Sequence, residues 1–290
     1  MKCVSFILTA FLICSGPLFG ADARYFGQTE SDVASAIPYG LNDATGKYAS
    51  AGDARIYYET YGDPDADVAV VLHGGGVGCT YEMGRFIDEL TPSYRVVAPS
   101  TRGHGRSEIG TAPITYEQKA NDVMAAVNAE TDKSFIIVGF SDGAYTAYKI
   151  AAMYPERVKK IVAIGAGESV PATRKFPKST LEDFAAYDKP FVESKIENCP
   201  EPEKLQDYLN RYYDFFNSEL ISKELFGSIK CPVLLVAGEL DPNAPLDTVI
   251  SAYKMIPNAQ LAIIANAPHQ AFITNFDAVW ANVKPFLNAK

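Results

Sequence analysis

The segment Ile136-Ile137-Val138-Gly139-Phe140-Ser141-Asp142-Gly143-Ala144-Tyr145 constrains this 290-residue chain more than any other. An apolar run enters a Gly-x-Ser-x-Gly turn and leaves it as a helix-forming segment, so a strand must turn into a helix within a few residues. Gly139 and Gly143 let the two elements approach closely, and the residue between them is forced into a strained backbone that presents its side chain alone. Ser141 is therefore a candidate nucleophile. Taken alone, the same five residues also describe an ordinary glycine-serine turn.

Three further stretches decide between the two. The buried-strand run Val68 to Leu72 empties into His73-Gly74-Gly75-Gly76, a glycine loop whose backbone can come close to a ligand and supply oxyanion donors. After the strand Val233 to Ala237 comes Gly238-Glu239-Leu240-Asp241-Pro242, and after a last strand, Leu261 to Ile264, comes Ala267-Pro268-His269. The order Ser141, Asp241, His269 is that of an α/β-hydrolase triad. The chain has three histidines. His73 belongs to the glycine loop and His104 to the turn Thr101-Arg102-Gly103-His104-Gly105, so His269 is left as the base. Asp241 leads over Glu239 and Asp247 because it follows its strand after a short glycine-containing turn.

With these four motifs in order, the chain resembles the α/β-hydrolase superfamily from about Lys47 to the C-terminus. The Ser-Asp-Gly elbow and the Gly-Glu-x-Asp-Pro acid loop look most like the serine carboxylesterase and valacyclovir-hydrolase-like branch. The chain departs from that pattern at Ser100, where relatives commonly carry Asp two residues before the Arg-Gly. The resemblance implies an α/β fold, a mostly parallel sheet flanked by helices, and it suggests amino-acid esters among the substrates. Epoxide hydrolase and haloalkane dehalogenase chemistry is disfavoured, since those relatives carry Asp where this chain has Ser141.

The pattern along the chain agrees. Strand-like runs at Arg55 to Tyr61, Val68 to Leu72, Arg95 to Pro99, Ser134 to Gly139, Ile161 to Ile164, Val233 to Ala237 and Leu261 to Ile264 alternate with helical spacing. Helices are expected at Tyr81 to Leu90, Tyr116 to Thr131, Gly143 to Tyr154, Asp247 to Ile256 and Asn275 to Leu287. Such alternation implies a parallel sheet that binds ligands beyond the carboxyl ends of its strands. The stretch from about Gly167 to Ser228 is too long for a simple connection and reads as a helical lid insertion into a domain spanning 47–290. Its aromatic face, with Tyr212 and Phe216 as candidate substrate contacts, should mostly pack the lid on the body.

Net charge is −9, with scattered Lys and Arg, which argues against nucleic acid and anionic lipid as partners. Met1-Lys2, the apolar run Cys3 to Phe19 and the small-residue pattern Ala21-Asp22-Ala23 read as a secretory signal peptide, cleaved after Ala23 or, as second choice, Gly20. An exported, periplasmic or secreted protein without a stable membrane anchor is expected, with residues 24–46 as an N-terminal arm. Cys79, Cys199 and Cys231 would remain. Cys199 and Cys231 have the option of closing a loop in an oxidising compartment, although each also suits a small buried hydrophobe. The spacing of His, Cys and acidic residues calls for no metal.

The chemistry implied is acyl transfer. His269 takes the Ser141 proton, Asp241 holds the imidazole, and the N–H groups of Asp142 and of Gly75, or its neighbour Gly76, receive the oxyanion. Carboxylic-ester hydrolysis on a small molecule, without a cofactor, is the expected activity. The Asp142 carboxylate has two readings: a charge favoured in a helix's first turn, or a reader of a substrate ammonium group. The same triad also serves carbon–carbon bond hydrolases of ring-cleavage products and cofactor-free perhydrolases. A non-catalytic binding protein on this fold would have no need of an intact triad.

Overall fold

The computed structural model describes residues 23–29, 32, 35–171 and 175–289. The expected leader falls almost wholly outside these. Eight strands form one sheet: β1 (Gly46–Ala51), β2 (Ala54–Tyr61), β3 (Val68–Leu72), β4 (Arg95–Pro99), β5 (Phe135–Phe140), β6 (Val158–Ile164), β7 (Val233–Gly238) and β8 (Ala259–Ile264). Their order across the sheet is β1-β2-β4-β3-β5-β6-β7-β8. The pairs β1–β2 and β2–β4 are antiparallel and all the others are parallel.

The central strands explain their own pairing. Every residue of β3, β5 and β7 is buried, as expected of parallel strands covered on both faces. Ten helices accompany them among the described residues: α1 (Gly84–Leu90), α2 (Tyr116–Glu130), α3 (Asp142–Met153), α4 (Leu181–Tyr187), α5 (Lys189–Asn198), α6 (Leu205–Ser218), α7 (Lys223–Ser228), α8 (Leu246–Met255), α9 (Ala271–Thr274) and α10 (Phe276–Asn288). Tyr145 and Tyr148 of α3 pack in one core with Val123 and Val127 of α2, while Phe86 of α1 shares the other face of the sheet with Val279 and Val283 of α10. Strand β1 has no counterpart in the sequence reading. Only Ala49 of its six residues is buried and it carries no apolar run; its place is set by antiparallel register with β2.

Four helices, α4 to α7, fill the connection between β6 and β7. Helix α4 opens with a capping box between Thr180 and Asp183, and α5 is capped by Asp188, whose Oδ1 accepts the Phe191 N–H at 3.2 Å. The N-terminal arm lies against these helices. Phe26 meets the rings of Phe184, Tyr187 and Phe191 at 5.3–5.5 Å, and Asp188 Oδ2 accepts from Arg24 at 3.1 Å and the Gly27 N–H at 2.8 Å.

The chain's path places the site. Strand β4 lies on one side of β3 and β5 on the other, so the loops after β3 and β5 leave the sheet where its order reverses. At such a switch point the connections diverge and open a crevice at the carboxyl ends.

Candidate active site

Ser141 joins β5 to α3 with φ 50° and ψ −115°, a left-handed conformation that costs a non-glycine residue about 1–3 kcal/mol. The glycines on either side permit it. A Cβ on Gly139 would stand 2.7 Å from the Gly143 carbonyl oxygen, and one on Gly143 would stand 2.6 Å from the oxygens of Leu72 and His73. The turn therefore closes on itself and against the end of β3.

His269, in the loop after β8, brings Nε2 to 3.0 Å from Ser141 Oγ and donates from Nδ1 to Asp241 Oδ2 at 2.8 Å. Asp241 is buried in the loop after β7. Its Oδ1 accepts the N–H groups of Asn243 and Ala244 at 2.7 and 2.8 Å, which leaves Oδ2 aimed at the imidazole. Neither sequence rival takes this place: Glu239 accepts the Asn266 N–H, and Asp247 lies in the first turn of α8.

The other two histidines are structural in their contacts. His73 is buried, donating from Nδ1 to the Gly74 carbonyl at 2.6 Å and accepting the Thr101 N–H on Nε2 at 3.0 Å. Burial pulls its pKa down to about 4. His104 is equally buried, bonds the Arg102 carbonyl at 2.9 Å, and is held well below the ordinary range, first by desolvation.

Ser141 and His269 open on a cavity of about 220 Å³, which is also lined by Gly75 and Gly76 of the glycine loop and by Tyr212 and Phe216 of α6. Those two rings stack at 16° with centroids 6.0 Å apart, and the Tyr212 hydroxyl presses on Gly75 so closely that a Cβ there would overlap it.

The family model for the alpha/beta hydrolase fold matches residues 68–198, from the start of β3 to the end of α5. Among curated relatives, the proline iminopeptidase PfmaB of Pestalotiopsis fici is 26% identical over 278 residues, covering 83% of this chain and 99% of that protein. A pimeloyl-[acyl-carrier protein] methyl ester esterase of Serratia marcescens is 24% identical, covering 81% and 98%. The human serine hydrolase BPHL is 26% identical, covering 81% and 83%. The chain shares the alpha/beta hydrolase fold and resembles these hydrolases along most of its length. A solved structure of a meta-cleavage product hydrolase from Pseudomonas fluorescens IP01 shares the fold, with a TM-score of 0.69 at 20% identity over 85% of this chain and 99% of that one.

Within this site, packing bears on two alternatives that the sequence left open. The Asp142 carboxylate does not face the cavity as a free charge. It is 1% exposed, and its Oδ2 accepts from Lys119 Nζ of α2 at 2.8 Å. Although burial opposes the Lys119 charge, the Asp142 carboxylate holds the lysine pKa above its ordinary value. A substrate ammonium would find that carboxylate already paired with Lys119. Of the two readings of Cys199 and Cys231, the small buried hydrophobe is the one observed: both are free thiols, each buried in its own apolar cluster.

The sequence reading passed over two charged residues beside the elbow. Lys119 was legible in principle, because Tyr116, Ala120, Val123 and Val127 mark the apolar face of α2 and Lys119 falls on it. Glu82 lies on a short 3-10 turn, Thr80–Met83, and lines the cavity with Ser141. Burial pushes its carboxyl up to about 8. Its only sequence signal is an acid among the buried Tyr81, Met83, Phe86 and Ile87.

Proposed function

We propose that the protein is a serine hydrolase that cleaves a small carboxylic ester through an acyl-enzyme on Ser141. The observation that carries this reading is the relay from Ser141 Oγ through His269 to the buried Asp241 carboxylate, opening on a single cavity. A serine hydroxyl is a weak nucleophile at neutral pH. His269 accepts its proton as Oγ attacks the ester carbonyl, and Asp241 orients the imidazole and stabilises its cation. The N–H groups of Asp142 and Gly75, with Gly76 as the alternate, receive the oxyanion; losing one such donor typically lowers turnover by about 10² to 10³. The alcohol leaves with the proton from His269, and water, deprotonated by the same imidazole, releases the acid.

Tyr212 and Phe216 form an apolar wall for the acyl group. The esterase and iminopeptidase relatives support hydrolysis at an acyl carbon. The carbon–carbon alternative receives less support, because a dienoate carries a carboxylate and the described lining residues include Glu82 but no Lys or Arg.

Ser141→Ala tests the reading. It should abolish both hydrolysis of 4-nitrophenyl esters and labelling by a fluorophosphonate probe while leaving the circular dichroism spectrum unchanged. Labelling that persists in the variant would overturn it. Export is part of the same proposal: N-terminal sequencing of protein from its source should begin near Arg24, and active protein that still begins at Met1 defeats it.

A further inference from the structure

A second cavity, of about 50 Å³, lies between α5, the N-terminal arm and the turn that follows β4. Among the described residues it shares Gly78 with the catalytic cavity and no other lining residue. A single water needs about 10–15 Å³ of such space, so there is room for an ion of a few heavy atoms.

Helix α5 turns one face to this cavity. Phe191, Ser194, Lys195 and Asn198 line it, at the i, i+3, i+4, i+7 spacing that sets side chains on one side of a helix. Lys195 is the charge among them. Its Nζ donates to the Gly103 carbonyl at 2.7 Å, and the side chains that act on it are two thiols, Cys79 and Cys199, rather than an acid. Desolvation draws its pKa down to about 8, so near neutral pH the ammonium is still largely protonated.

The loops across from α5 supply hydroxyls. Thr80 and Ser100 are 3% and 1% exposed, and their side-chain oxygens lie 3.1 Å apart. One hydrogen of the pair closes the bond between them; the other has no acceptor among the described residues. A Cβ on Gly105 would stand 3.0 Å from Ser100 Oγ, so glycine there leaves room beside the hydroxyl. Arg24 brings a second cation. Asp188 takes its Nη2 at 3.1 Å, but its Nε–H is buried without an acceptor. The described lining contains no Asp or Glu, and Ser100 stands where relatives commonly carry the acid. Positive charge and spare donors with no acidic side chain to meet them are complementary to an anion with several acceptor oxygens.

We propose that this cavity is a second ligand site, which binds a small oxyanion, a carboxylate or a phosphate, through the Lys195 ammonium and the Thr80–Ser100 hydroxyls. An anion there joins the helical insertion, through α5, to the segment Gly78–Thr80 that continues the glycine loop. The site stands independently of the role of Ser141.

The test follows the amide chemical shifts of the isotope-labelled protein during titration with sodium acetate or inorganic phosphate, at an ionic strength held constant with chloride. Saturable shifts are expected at Thr80, Gly105 and Lys195. Binding of either anion at these positions supports the site, and the tighter of the two identifies its chemical class. No saturable shift with either anion, or shifts confined to Gly75, Ser141 and Asp142, overturns the proposal. Lys195→Met should weaken binding by about tenfold or more, while Lys195→Arg keeps most of it. Wild-type affinity in a folded Lys195→Met protein overturns the proposal as well. If that variant does not fold, Ser100→Asp, which places a carboxylate in the cavity, should weaken binding by a similar factor, and unchanged affinity there is equally fatal. Should neither variant fold, the positions of the wild-type shifts still decide.

Discussion

At the scale of single residues, the site depends on groups that must be buried together. Lys119 and Asp142 are a desolvated ion pair beneath the elbow, with side-chain exposures of 3% and 1%. Removing one member leaves the other charged and alone, which typically costs about 3–5 kcal/mol, whereas replacing both with apolar residues is often neutral. Asp142→Asn should therefore lower the melting temperature steeply and reduce hydrolysis of neutral and amino esters alike. The double variant Lys119→Met, Asp142→Leu should recover most of the stability, as thermal denaturation would show. A selective loss on the amino ester in Asp142→Asn would return ammonium recognition to that carboxylate. His269→Ala should be as damaging to turnover as Ser141→Ala, because members of one catalytic unit are not additive. His104→Ala, which opens a cavity away from the relay, should lower stability while Ser141 still takes the fluorophosphonate label.

Elements position those residues through their ends. The carboxyl ends of β3, β5, β7 and β8 carry the glycine loop, Ser141, Asp241 and His269 in turn. The helical insertion completes the cavity from above, and its own anchorage converges on Asp188. One carboxylate there caps α5, pairs with Arg24 and receives the Gly27 N–H, so it joins the arm to the insertion. Asp188→Ala removes the cap, an effect worth about 0.5–2 kcal/mol, and releases the arm at the same time. Hydrogen exchange should then rise at residues 24–28 and at the start of α5, while the strands keep their protection. Unchanged exchange in the arm would mean that the Phe26 ring contacts alone hold it. The helices around the sheet were legible because their apolar spacing is periodic. The arm was not, since Phe26 is a single aromatic whose partners lie more than a hundred and fifty residues away in sequence.

For the whole molecule, buried titratable groups set the pH range of stability. His73 and His104 are neutral in the fold, with pKa values depressed by burial, to about 4 for His73. Unfolded, each would take a proton near pH 6.5, so their contribution is complete above about pH 6.5 and is lost as pH falls toward 4. Glu82 acts in the opposite sense. Its folded pKa, raised to about 8, exceeds the ordinary 4.5, so its contribution is complete below about pH 4.5 and declines as pH rises through 8. Glu59, also raised by burial, adds to that slope. Glu82→Gln should therefore flatten the fall in unfolding free energy between about pH 5 and 8, as urea titrations would show. A slope identical to wild type would mean that Glu82 is ionised in the fold.

The sequence by itself determined the alternation of strands and helices, the order of the three candidate catalytic residues, and the elbow, because these depend on local periodicity and on glycine at positions where a Cβ cannot fit. Only the tertiary structure decided what faces the cavity. Asp142 and Glu82 are both acids near small residues, and nothing local distinguishes them. Packing α2 beside α3 gives Asp142 the Lys119 ammonium, while the turn after the glycine loop gives Glu82 two backbone N–H groups and no cation. The charge state and partners of a buried group depend on neighbours distant in the chain, and those neighbours exist only once the sheet has brought its loops together.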